Sequence, residues 1–80
     1  MGRSRRRRPK RLARKLLAIR KRLGVSQSDF ARLLDLKVSY TIVSGYERGK
    51  QEPDLLILLR YARIADISTD VLIDDNVDFP

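Results

Sequence analysis

Apolar residues recur at helical spacing along the chain. Leu12, Leu16 and Ile19 stand four and three residues apart, and Leu23 continues the same stripe. This spacing predicts a first helix, which Gly24 ends. No stretch alternates apolar and polar residues as a half-buried strand does, and no β-hairpin sequence is present. The pattern therefore predicts an all-α domain.

Capping residues predict where a second and a third helix begin. Ser26, followed by Asp29 three residues later, predicts the start of the second helix. The apolar residues of this helix expected to face the core are Phe30, Ala31, Leu33 and Leu34. Ser39 can cap a third helix from residue 40 to residue 47, which Gly49 ends.

Two more helices follow these three. Pro53 and Asp54 predict the start of a fourth helix, and Ser68 predicts that of a short fifth helix. The face of the fourth helix expected to lie in the core consists of Leu55, Leu58, Leu59 and Ala62. Leu56 and Ile57 extend the apolar surface beyond this face, which indicates either a contact with a partner or a wider core-facing stripe. The C-terminal residues expected to join such a contact are Val71, Leu72, Ile73 and Phe79.

Charge is distributed unevenly along the 80 residues, whose net charge is +8. Residues 1–22 hold twelve of the eighteen Lys and Arg and no Asp or Glu, whereas the remaining 58 residues hold six basic and ten acidic residues. So basic a segment favours a polyanionic partner. The net charge is therefore less informative than its concentration at one end.

The first nine residues are predicted to form a flexible basic arm that ends at Pro9, because residues 3–11 hold no hydrophobic residue and repel one another. The cations expected to contact phosphates here are Arg3, Arg5, Arg6, Arg7, Arg8, Lys10 and Arg11. A solvated tail without a partner is the alternative. A domain spanning residues 10–73 and an acidic tail spanning residues 74–80 complete the predicted organisation. The acidic residues expected to lie away from phosphates are Asp70, Asp74, Asp75 and Asp78.

Composition excludes several classes of protein. The chain has no Cys and no His, which removes disulfides, thiol nucleophiles, imidazole bases and the usual zinc ligand sets. No carboxylate pair, glycine-rich phosphate loop or activated nucleophile can be assembled from the sequence. We therefore predict no enzymatic activity, no cofactor and no metal. The longest apolar run, residues 55–59, is too short to span a bilayer, and no secretory signal is visible, so we expect a cytoplasmic protein.

The third helix has a polar face opposite Val43 and Glu47. Candidate base-contacting residues on this face are Tyr40, Thr41, Ser44 and Gly45. Short polar side chains can reach base edges, and the Thr41 methyl group can touch a thymine methyl group. Gln27, at the start of the second helix, can hold a phosphate with its amide. The other candidate phosphate-contacting residues are Lys37, Arg48 and Lys50.

Several spaced sequence elements resemble those of one known family. They are Ser26-Gln27, Phe30-Ala31, Val43-Ser44, Tyr46-Glu47-Arg48-Gly49-Lys50, Pro53, Ile67-Ser68 and Val71-Leu72. In this order they resemble the phage repressor and Cro-type helix-turn-helix domain, also called the xenobiotic-response-element family. The resemblance implies a compact five-helix domain in a bacterial or phage nucleoid. It also implies a homodimeric transcription regulator, a repressor, that binds double-stranded DNA with the third helix in the major groove.

Glu47 is expected to lie on the inward side of the third helix and should therefore be paired. The resemblance implies that its partner is Arg20 on the first helix, in an ion pair that fixes the third helix against the first. Two solvated surface charges are the alternative.

Three features depart from the family pattern. The turn formed by residues 35–38 is about two residues longer than usual, which would shift the third helix. Ile42 is apolar where the family has a small polar residue, and we expect it to pack against this turn. Gly45 stands inside the helix at a position often used for base contact. It either allows close approach to DNA or contributes no contact.

A protein-interaction module, such as the antitoxin of a toxin–antitoxin pair, is the alternative function. In that interpretation the fourth helix and the acidic C-terminal tail hold a protein partner. An RNA-binding function fits the basic arm, but the chain has only three Tyr and two Phe with which to build a stacking platform.

Overall fold

The computed structural model describes residues 8–34 and 39–80. Within these residues the chain forms five helices and no strand: α1 (Leu12–Leu23), α2 (Gln27–Leu33), α3 (Tyr40–Glu47), α4 (Leu55–Ala65) and α5 (Thr69–Ile73). The predicted all-α, five-helix fold is confirmed. Four arm residues, Arg3, Arg5, Arg6 and Arg7, lie outside the described residues, as do the turn at 35–38 and Lys37 within it.

Side-chain caps begin two of the helices. The Ser26 hydroxyl accepts a hydrogen bond of 3.0 Å from the backbone N–H of Asp29, and the Asp54 carboxylate accepts one of 2.9 Å from Ile57. Each satisfies a donor that has no partner inside the helix. Ser39 also stands at an N-cap position, in extended backbone, but its side chain forms no capping hydrogen bond. The sequence therefore predicted the start of α3 correctly but not the role of the Ser39 hydroxyl.

Three helices end at, or one residue before, a residue with left-handed backbone. Gly24 ends α1 with φ of 71° and Gly49 follows α3 with φ of 74°, as the sequence predicted. Asp66 ends α4 with φ of 58°, although it has a side chain. At this end the N–H groups of Asp66 and Ile67 donate to carbonyl oxygens in the last turn of α4, at Arg63 and Ala62.

Every helix contributes a fully or almost fully buried side chain to one core. Tyr61 of α4 lies at its centre, with its ring 4.9 Å from that of Phe30 and 6.4 Å from that of Tyr46. Burial raises the pKa of the Tyr61 phenol. The remaining core residues are Leu12, Leu16, Ile19, Ala31, Leu34, Val43, Ile57, Leu58, Ala62 and Leu72. This core holds α2 and α3 against α1 and leaves the outer face of α3 uncovered.

Two of the predicted core faces are wrong in part. Leu33 is 52% exposed and Leu55 is 78% exposed, so neither belongs to the core. In α4 the predicted Leu58 and Ala62 are buried and Leu59 is half-buried, and Ile57 and Tyr61 are buried with them. Tyr61 is the largest buried side chain, so its face of α4 points into the core. Residue 57 lies one turn before Tyr61 on the same face and is therefore buried as well. Of the two residues that extend the apolar surface, Leu56 is exposed, whereas Ile57 belongs to the core and is unavailable to a partner.

Residues 74–80, the acidic C-terminal tail, lie against α1. Lys15 of α1 is only 3% exposed, and its ammonium group donates hydrogen bonds to three backbone carbonyls of the C-terminal part of the chain. The acceptors and distances are Val71 O at 2.7 Å, Asp74 O at 2.9 Å and Val77 O at 2.8 Å. The Lys15 ammonium group thus holds the Val71 carbonyl of α5 together with two carbonyls of the segment that follows, of which Asp74 O also accepts from the Val77 N–H at 3.1 Å.

The start of α1 is held by two acidic residues of the same segment. The Asp75 carboxylate accepts hydrogen bonds from the backbone N–H groups of Lys10 and Arg11, at 2.8 Å and 3.0 Å. The Arg11 guanidinium donates to the Asp75 carbonyl at 2.8 Å and to the Asp78 carboxylate at 2.5 Å. Arg11 was predicted to serve as a cation of the arm. It is instead engaged within the protein, because the acidic end reaches it.

These contacts predict a measurable response to acid. Hydrogen bonds from the N–H groups of Lys10 and Arg11 lower the pKa of Asp75 from its usual value, and a hydrogen bond from Arg11 lowers that of Asp78. A lowered folded-state pKa means that the contact contributes stability above the unfolded value and loses it as pH falls through the folded value. An NMR titration should therefore give an Asp75 midpoint below that of an unperturbed aspartate, with the amide signals of residues 10 and 11 moving in parallel. A midpoint at or above that value would contradict the contact.

Candidate nucleic-acid interface

The outer face of α3 presents most of the predicted base-contacting residues. Val43 and Tyr46 anchor the inner side of this helix in the core. On the outer side Tyr40 and Thr41 are exposed, and Ser44 is half-buried. The structure therefore brings these three together on an accessible surface at the beginning and middle of α3.

Gly45, a candidate for base contact, does not lie on the exposed surface of α3. It is buried, because the side chain of Gln51 lies over it. A Cβ atom at this position would stand only 2.8 Å from the Gln51 amide nitrogen. Gly45 therefore offers no exposed surface to a base, and Gln51, which sequence reasoning did not single out, occupies that part of the face. The signal in the sequence was a glycine in the middle of a helix, where it costs about 1 kcal/mol relative to alanine.

A bidentate ion pair fixes α3 against α1. Arg20 Nε and Nη2 donate to the two carboxylate oxygens of Glu47 at 2.7 Å and 3.0 Å. The Glu47 side chain is 3% exposed and that of Arg20 17%. Arg20 also donates to the Val25 carbonyl at 2.9 Å, so the pair includes the connection between α1 and α2. The hydrogen bond to Glu47 raises the pKa of Arg20, and the predicted structural ion pair is present.

Gln27 joins this pair from the beginning of α2. Its side-chain nitrogen donates to Glu47 Oε1 at 3.0 Å, and the residue is half-buried. An amide nitrogen carries two N–H groups, so one is used here and one remains for another acceptor. Through Glu47, the residue predicted to contact a phosphate is linked to the helix predicted to contact bases.

Exposed cations lie beyond the end of α3. Arg48 and Lys50, both predicted to contact phosphates, are exposed. Nearby, the start of the described chain and the loop between α3 and α4 line one cleft of about 150 Å³. Its lining includes Arg8, Pro9, Lys10, Gln51 and Pro53. The basic arm therefore joins the domain beside the loop that follows α3.

Two other residues bear on the sequence-based predictions. Ile42 is half-buried and packs against the core, while the turn it was expected to contact lies outside the described residues. Lys15 was not singled out by the sequence, because its three acceptors are backbone carbonyls, which any residue carries.

The described residues hold neither a metal-binding cluster nor a membrane-spanning helix. No group of three or more His, Cys, Asp or Glu side chains there could hold a metal ion. No helix in this part of the chain is both long enough and apolar enough to cross a membrane.

The sequence and the fold are similar to those of known proteins. A helix-turn-helix family model matches residues 16–72. Among solved structures, the P22 c2 repressor protein in complex with a synthetic operator is 26% identical to this chain, with a TM-score of 0.71. That match covers 80% of this chain and 94% of the repressor chain. No curated protein matches the sequence significantly.

Proposed function

Because the chain belongs to the helix-turn-helix family, we propose that it is a transcriptional regulator that binds double-stranded DNA in a sequence-specific manner. The observation that carries this proposal is the exposed outer face of α3, which Arg20 and Glu47 hold in a fixed orientation. The similarity to a repressor solved with its operator supports a duplex as the partner. In this proposal α3 lies in the major groove, which is wide enough to admit a helix.

Different residues have different roles in this complex. Tyr40, Thr41 and Ser44 contact base edges, because they lie on the exposed or half-exposed side of α3. Phosphate contacts that set the position of α3 come from Gln27, Arg48 and Lys50, with Lys37 as a further candidate. The arm contributes additional cations, among which Arg8 and Lys10 are exposed.

A homodimer is part of the proposal. The exposed apolar residues of α4 available to it are Leu55 and Leu56, whereas Ile57 and Leu72 are buried and take no part. Two copies related by a two-fold axis would read two half-sites about 34 Å apart, one turn of B-DNA. Repression by occupying such an operator, in the cytoplasm, completes the proposed role.

The alternative function, an antitoxin or another protein-interaction module, is favoured neither by the family match nor by the similar structure. Part of the surface that it requires is also occupied, since Asp75 and Asp78 are bound to the start of α1. A gel shift distinguishes the two functions. In the presence of excess non-specific DNA, the protein should still shift a subset of random duplexes, whereas a pure interaction module would shift none.

Two substitutions should separate phosphate contacts from base contacts. Gln27→Ala should weaken binding to every duplex by a similar factor, because phosphate contacts carry no sequence information. Thr41→Ala or Tyr40→Ala should change the preferred bases, because their side chains lie on the exposed face of α3. Binding of each variant to a panel of single-base operator variants measures both effects. A loss of preference at one base pair in Gln27→Ala, with general affinity intact, would contradict these roles.

Deletion of residues 1–8 should reduce the salt dependence of DNA binding. The deletion removes five arginines. The magnitude of the negative slope of log K against log salt decreases by about 0.9 for each phosphate that the shortened chain leaves unneutralised. If about half or more of these cations contact phosphates, the slope should flatten by about 2–4. The melting temperature should hardly change, since Lys10 and Arg11, which bind Asp75, remain. Equal slopes for the two proteins would show that the arm takes no part.

A further inference from the structure

The chain reverses direction at the end of α3 and brings Gln51 alongside the middle of that helix. Gly49, with φ of 74°, makes the reversal possible, and its N–H donates to Tyr46 O at 3.2 Å. The N–H groups of Lys50 and Gln51 then both donate to the Gly45 carbonyl, at 2.9 Å and 3.2 Å. These hydrogen bonds hold the Gln51 backbone beside Gly45.

The Gln51 side chain fills the space that a side chain at position 45 would need. A Cβ atom added to Gly45 would lie 2.8 Å from Gln51 Nε2, 3.2 Å from Cδ and 3.3 Å from Cγ. Gly45 is not required here by its own backbone, because its φ is not in the left-handed region. The absence of a side chain at Gly45 instead leaves room for the Gln51 amide.

This amide lies on the outer face of α3. Positions 41, 45 and 48 are four and three residues apart and therefore share one side of the helix. Thr41 and Arg48 are exposed on that side, whereas Gly45 is buried beneath Gln51, and Gln51 itself is exposed. The amide group of a glutamine carries both a donor and an acceptor. A donor and an acceptor are thus both available at the position where a residue of α3 would otherwise point outward.

We propose that Gln51 is a specificity-determining residue, which contacts a base from the loop after α3 in the place of a side chain at position 45. A glutamine amide can donate to one atom and accept from another, and adenine offers the matching pair, N7 and the N6 amino group, in the major groove. The proposed contact is therefore with the adenine of one A·T pair in each half-site. This inference rests on the proposed placement of α3 in the major groove.

Selection of bound sequences from a random duplex library tests this assignment. Gln51→Ala should lose the preference for adenine at one position of each half-site by about 5- to 150-fold, and keep the other positions. Gln51→Glu should shift the preference at that position toward cytosine, whose N4 amino group donates to a carboxylate. Neither variant should change the melting temperature, since residue 51 is exposed.

Gly45→Ala provides an independent variant that leaves Gln51 in the chain. The added methyl group needs the space that the amide occupies, and the far end of a flexible side chain moves aside easily. Gly45→Ala should therefore lose the same adenine preference, and the double variant with Gln51→Ala should lose no more. Lys50→Ala is the matched control from the same loop, and should weaken binding to all sequences while keeping the motif.

Two outcomes would overturn the assignment. If the wild-type protein selects a motif that Gln51→Ala, Gln51→Glu and Gly45→Ala all leave unchanged, Gln51 contacts no base, while the proposed function stands. If the wild-type protein selects no sequence, both the proposed function and the role of Gln51 are wrong.

Discussion

Glu47→Ala should destabilise the domain by about 2–4 kcal/mol, because it leaves the Arg20 guanidinium largely buried without its carboxylate partner. Arg20→Ala should have an effect of similar size, since Glu47 is the more deeply buried of the two. Gln27 loses an acceptor in the first variant, which adds to the loss. Urea denaturation of the purified variants measures the free energy of unfolding.

A double-mutant cycle separates the ion pair from other effects of the two substitutions. The double variant should lose less than the sum of the single variants, because removing both partners leaves no uncompensated charge. The pair between Asp29 and Arg32 is the matched control. Its atoms are 3.3 Å apart, but both side chains are mostly exposed, so its coupling should be below about 0.5 kcal/mol. Additive losses at Arg20 and Glu47 would show that the pair does not stabilise the fold.

Lys15→Met should also destabilise the domain by about 2–4 kcal/mol. The methionine keeps the apolar stem of the side chain, but Val71 O and Val77 O lose this donor, and Asp74 O keeps only the Val77 N–H. Each buried carbonyl without a partner costs about 1–3 kcal/mol, and local opening of the segment to water reduces the total. Lys21→Met, an exposed lysine of the same helix, should have little effect.

The loss at Lys15 has a structural signature as well as an energetic one. Amide hydrogen exchange in residues 74–80 should accelerate in Lys15→Met, because the segment loses the cation that anchors it to α1. Exchange in α2 and α3 should change only as far as global stability changes. Unchanged exchange in both parts, with unchanged stability, would show that the three hydrogen bonds contribute nothing.

The sequence predicted most of the fold because local residues determine where helices begin and end. The caps Ser26 and Asp54 and the left-handed glycines 24 and 49 act within a few residues of themselves, so their effects can be recognised in the chain. The inward face of α4 was harder. Residues 55–59 are all apolar, and a continuous apolar run does not show which side faces the core. Burial of Tyr61 determined it, through packing with Phe30 and Tyr46.

The features that the sequence did not predict depend on contacts between distant residues or on contacts with the backbone. The contacts of the C-terminal acidic tail with α1 were not predicted, since its attachment to Lys15 uses backbone carbonyls and its attachment to Arg11 spans more than 60 residues. Gln51 was missed because only the reversal at Gly49 places it over Gly45. The partner of Glu47 was found, by contrast, because an inward charge requires one and the family resemblance indicated where it lies.

Selection of bound sequences from a random duplex library by the full chain tests the central proposal most directly. If α3 of a homodimer reads the major groove, the selected duplexes should share a two-fold symmetric motif with half-sites separated by one turn of the double helix. Thr41→Ala should then alter that motif at defined positions. Selected duplexes with no shared motif, at a salt concentration at which the protein still binds DNA, would contradict sequence-specific recognition.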